Sequence, residues 1–93
     1  NSSPAGTILI DEGAMRAVRS RKSLLPSGVV SVMGEFEAGA VVMLNDNAKA
    51  VTSIGSAQIK TLAGKHSTEI KKLLGPKHRD VVAIPEDIVI IDY

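Results

Sequence analysis

Residues 7–29 read Thr7-Ile8-Leu9-Ile10-Asp11-Glu12-Gly13-Ala14-Met15-Arg16-Ala17-Val18-Arg19-Ser20-Arg21-Lys22-Ser23-Leu24-Leu25-Pro26-Ser27-Gly28-Val29. Thr7 to Ile10 is a short apolar, β-branched run, the pattern of a buried strand. Asp11 stops it and can cap a helix, because its carboxylate accepts a free amide of the next turn. From Glu12 to Arg19 the spacing predicts that helix, with Ala14, Met15 and Val18 on one face and Arg16 and Arg19 on the other. Gly13 costs such a helix up to about 1 kcal/mol relative to alanine, so its presence suggests a close backbone approach. Ser23-Leu24-Leu25-Pro26-Ser27-Gly28 then punctuates the chain as a turn.

Further along, Val29 to Met33 reads as a second strand, followed by the polar connection Gly34 to Gly39 with Phe36 as its one aromatic. Ala40–Leu44 and Lys49–Ile54 form a hairpin around Asn45-Asp46-Asn47, residues that tolerate the left-handed region. An eleven-residue echo follows: Ser56 to Gly64, then Ser67 to Gly75. Each copy predicts a short helix, with serine as its cap and glycine (Gly64, Gly75) as its left-handed end. Val81–Ile84 and Ile88–Ile91 read as closing strands around Pro85-Glu86-Asp87. The total is six short strands and three short helices, a mixed α/β, β-rich, barrel-like sheet.

The chain has 93 residues, 44% hydrophobic and 23% charged, with a net charge of +1. That suffices for one small domain, expected over residues 7–93, with residues 1–6 as a disordered segment. No apolar run approaches a membrane span, and the start lacks a signal-peptide pattern, so a cytoplasmic domain is expected. Cysteine is absent and histidine occurs twice, at His66 and His78. Thiolate chemistry is excluded, and a metal site is not expected. Neither a phosphate-binding glycine loop nor a nucleophile elbow occurs, so no catalytic residue is expected in these residues.

Charge is distributed in blocks: residues 11–22 and 56–79 are net basic, residues 23–55 and 80–93 net acidic. The candidate contacts for RNA are Arg16, Arg19, Arg21 and Lys22 at one edge, with Lys77, His78 and Arg79 at another. With only Phe36 and Tyr93 aromatic, recognition by base stacking is disfavoured.

The order strand, Asp11-Glu12-Gly13-Ala14, basic helix, Ser23-Leu24-Leu25-Pro26-Ser27-Gly28, strand resembles a PUA domain, most closely the C-terminal PUA domain of the glutamate 5-kinase family. Gly34-Glu35-Phe36, Gly64-Lys65-His66-Ser67 and Leu74-Gly75 with Lys77-His78-Arg79-Asp80 extend the likeness. Ile84-Pro85-Glu86 stands where that family carries a basic histidine–arginine pair. The resemblance implies a PUA pseudobarrel serving as an accessory domain beside a kinase domain that phosphorylates the γ-carboxyl of glutamate for proline synthesis. ATP and magnesium would belong to that kinase domain alone. RNA is the partner implied by other PUA proteins, in a cleft matching Gly13 to Gly28 and the closing strands.

Overall fold

The computed structural model describes residues 3–65, 69, 72 and 81–91. β1 (Gly6–Ile10) leads into α1 (Glu12–Arg19), a 3₁₀ turn (Pro26–Gly28) and β2 (Val29–Met33). β3 (Val41–Leu44), β4 (Ala48–Val51) and α2 (Ser56–Leu62) follow, and a second 3₁₀ turn (Pro85–Asp87) opens onto β5 (Ile88–Ile90). The strands form one sheet in the order β2-β1-β3-β4-β5. β1 and β3 are parallel, and the other neighbours are antiparallel.

Strict alternation builds the core. Ile8, Ile10, Val42, Leu44, Ala48 and Ala50 point inward and are buried. Met15 and Val18 of α1, Ile59 and Leu62 of α2, and Leu24, Val29, Phe36, Ile54, Val82 and Ala83 complete the cluster. At the end of β3, Asn45 takes φ 52°. Its Oδ1 accepts the Ile10 N–H at 2.9 Å, and its Nδ2 donates to the Ile10 C=O at 3.1 Å. The amide side chain thus replaces a peptide group and carries the β1–β3 pairing one residue further.

Among the described residues five strands form rather than six, and the reason lies in the backbone donors and acceptors of Val82 and Ala83. Their N–H groups turn to the Leu24 C=O, while the Val82 C=O accepts the Ser53 N–H at 2.8 Å. Thr52 Oγ1 also donates to the Ile54 C=O at 2.7 Å, which ends β4 at Val51 instead of Ile54. A segment bonded to different partners on its two sides makes only the isolated bridge Leu24–Ala83 where a ladder was expected. Two helices are described. The second copy of the echo, Ser67 to Gly75, lies outside the described residues except for helical Glu69 and exposed, helical Lys72. The boundary expected at residue 7 falls inside β1, and the Ala5 N–H already donates to the Val41 C=O at 2.8 Å.

Ser56 is not the cap of α2. Gly55 holds that position, and buried Ser56 is turned towards the 34–39 loop. Its N–H donates to the Phe36 C=O at 2.9 Å, and its Oγ accepts the Phe36 N–H at 3.0 Å. At the other end, Gly64, at φ 78°, donates its N–H to the Pro26 C=O. Pro26 precedes β2 and Phe36 follows it, so α2 is fastened alongside β2 and shields that edge of the sheet.

The architecture is internally symmetric. β1–α1–turn–β2 is matched by β4–α2–turn–β5, with β3 between the halves. Leu24-Leu25-Pro26 and Ala83-Ile84-Pro85 occupy equivalent places and bridge to each other. Exposure follows the same pairing, with Leu25 at 42% and Ile84 at 39%.

Candidate functional site

A groove of about 340 Å³ lies between α1 and the Pro26–Gly28 turn. Asp11 builds its entrance. The backbone there is extended, and Asp11 Oδ1 accepts the Ala14 N–H at 2.7 Å, the N-cap bond that starts α1. The Asp11 N–H in turn donates to the Gly28 C=O at 2.9 Å, tying the helix start to the turn. Gly13, Ala14 and Ala17 form the helical wall; Ser23, Leu24, Leu25, Ser27 and Gly28 form the other. Small side chains on both walls leave backbone within reach of a ligand. Asp11 is the one charged residue of the lining, and it is a carboxylate.

The close approach expected at Gly13 occurs instead at Gly28. A Cβ on Gly13 would meet only Asp11 Oδ1, at an ordinary 3.5 Å, whereas a Cβ on Gly28 would collide with the Ala14 methyl. Asp11, Gly13, Ala14, Ser23, Leu24, Leu25 and Gly28 therefore converge on the groove. Pro26 and Gly64 stand behind it as its brace to α2.

Of the basic candidates, Arg16, Arg19, Arg21 and Lys22 are not in the lining of this groove. Arg16 and Arg19 line a separate shallow depression of about 210 Å³ with Glu12 and Met15. Arg16 Nη2 lies 3.7 Å from Glu12 Oε1 in an exposed i,i+4 pair, an arrangement that contributes little to stability. Arg21 is exposed and takes φ 63° in the turn closing α1. Its N–H donates to the Val18 C=O and that of Lys22 to the Ala17 C=O, which completes a Schellman motif with arginine where glycine is usual. Lys22 is exposed beyond it. Lys77, His78, Arg79 and Gly75 lie outside the described residues.

A second depression of about 530 Å³ was not anticipated from sequence; Glu35, Glu37, Ser53 and Gln58 are among its lining residues. Only the third dimension places residues 34–39 beside residues 53–58, so no local signal announces it. Among the described residues, no three His, Cys, Asp or Glu side chains gather as a metal would require.

The fold agrees with what the chain is similar to. A family model described as the PUA domain matches residues 6–74. The chain belongs to the PUA domain family. This PUA domain is 38% identical over 96 aligned residues to a glutamate 5-kinase of Streptomyces avermitilis, spanning 97% of the chain and 26% of that relative. A glutamate 5-kinase of Pelobacter propionicus is 37% identical over 95% of the chain and 25% of its own length. For the enzyme of Aromatoleum aromaticum the identity is 45%, over 76% of the chain and 20% of the relative. The PUA domain thus spans about a quarter of the length of these curated relatives. The fold also matches the crystal structure of a PUA domain from Aeropyrum pernix K1 in complex with tartrate. The TM-score is 0.56 at 23% identity, covering 86% of this chain and 42% of that one.

Proposed function

We propose that this PUA domain is the C-terminal accessory module of a glutamate 5-kinase, the ATP-dependent glutamate γ-carboxyl kinase of proline biosynthesis. The carrying observation is similarity to glutamate 5-kinases along 95–97% of the domain while it spans only 25–26% of their length. A module of that kind needs a contact surface, and the small-residue groove offers one. ATP and magnesium chemistry belongs to the remainder of the polypeptide, in the cytoplasm.

RNA binding draws less support. The groove presents Asp11 to a polyanion, and Arg16 and Arg19 lie at a separate depression. The deciding experiment is an assay of the full-length polypeptide for ADP formation that requires both ATP and glutamate. Activity there, with none from the 93 residues alone, is the expected outcome. Absence of glutamate-dependent turnover, with salt-sensitive binding of structured RNA lost in Arg16→Glu with Arg19→Glu, would overturn the proposal.

A further inference from the structure

Apart from Thr7, Ser31 and Lys49 the outer face of the sheet is apolar, and the core fills only the inner one. Register places Met33, Thr7, Met43, Lys49 and Val89 in a single row across all five strands on the outer face. Leu9, Val41 and Val51 flank that row, each alternating with buried residues of its own strand. Met33 is 52% and Val89 60% exposed at the two ends, and Lys49 is the one charge in the row. A sheet that faces water ordinarily alternates apolar-in with polar-out, so an outer face on which Met33, Met43, Val89, Leu9, Val41 and Val51 outnumber the polar residues suits a covering partner. Methionines, of which this row holds two, adapt to an irregular opposing surface.

We infer that this outer face is the docking surface for the catalytic domain of the same polypeptide, which presents apolar side chains to the row and an acidic group to Lys49. The inference rests on the glutamate 5-kinase assignment proposed above. Two observations favour that occupant. About three quarters of each relative's length lies outside the match. The Ala5–Val41 hydrogen bond also brings the chain into the sheet at the Val41 end of this face, beside the row. A domain tethered there meets the face at high effective concentration, so modest apolar complementarity suffices.

Because these 93 residues contain no cysteine, introduced thiols can report on coverage. Met33→Cys and Val89→Cys, made singly in the full-length protein with any other cysteines changed to serine, are compared with Glu12→Cys on exposed α1. The expected result is maleimide labelling at least about tenfold slower at positions 33 and 89 than at 12, independent of protein concentration. Lys49→Glu restores fast labelling at both positions. Labelling as fast as at position 12 overturns the docking surface, and so does protection that disappears on dilution, which identifies a second copy. Glutamate-dependent ADP formation by the Glu12→Cys protein separates the two failures. An active kinase with unprotected thiols loses the docking face alone, whereas an inactive one loses the kinase assignment.

Discussion

Gly28 lies against the methyl group of Ala14, so closely that a Cβ on Gly28 would overlap it. This contact sets how near the proline turn comes to α1, and hence the width of the groove. Gly28→Ala should destabilise the domain by about 1–3 kcal/mol, read as a lower urea midpoint at constant slope. Ala14→Gly added to it should recover part of that loss, since the two positions share one space. Gly13→Ala has no such neighbour and should instead stabilise by up to about 1 kcal/mol. Equal losses at Gly13 and Gly28 would contradict the geometry.

Asn45 gives a second, sharper case. Its side chain answers both the N–H and the C=O of buried Ile10, and its backbone is left-handed. Asn45→Gly keeps the backbone and removes the side chain, and should cost about 1–3 kcal/mol. Asn45→Ala adds backbone strain and should cost about 2–4 kcal/mol. Asn45→Asp keeps the acceptor for Ile10 N–H but sets a carboxylate against Ile10 C=O, so its loss should at least match that of Asn45→Gly. Thermal unfolding of the three variants side by side distinguishes these outcomes.

Arg21 is expected to behave in the opposite direction. It occupies the glycine position of a Schellman motif at φ 63°. Arg21→Gly should therefore stabilise the domain by about 0.5–1 kcal/mol and raise the melting temperature by about 2–8 °C. Arg21→Val, β-branched at the same φ, should lower it. A drop in melting temperature for Arg21→Gly would show that the arginine side chain has a structural partner worth more than the strain.

These residues also mark where the sequence was readable. β1, the Asp11 cap, α1 and β2 were legible because apolar period, cap chemistry and punctuation agree along residues 7–33. The left-handed backbone at Arg21 was not legible, since nothing in its residue type signals it. Val81–Ile84 carries every local mark of a strand and still makes one bridge, because pairing depends on partners at Leu24 and Ser53 that are distant in sequence. The pairing of Leu25-Pro26 with Ile84-Pro85 was legible in principle. The eleven-residue echo at Ser56 and Ser67 was the more conspicuous repeat, yet the two proline turns are the symmetric pair.

Ser56 offers the most decisive substitution. As a helix cap it would tolerate aspartate, which caps at least as well as serine. As the buried partner of Phe36 it cannot, because a carboxylate there would face the Phe36 C=O at the position where Ser56 Oγ lies 3.2 Å from that oxygen. Ser56→Ala should cost about 1–3 kcal/mol by leaving the Phe36 N–H without its side-chain acceptor. Ser56→Asp should cost more, since it buries an uncompensated charge. The damage should spread along α2 to its other tie at Pro26, exposing the β2 edge and loosening the wall that carries Gly28. Hydrogen exchange of the Ile59 and Leu62 amides in Ser56→Ala reads that loss directly. Retained protection at both, together with a stable Ser56→Asp, would return Ser56 to the role of a cap.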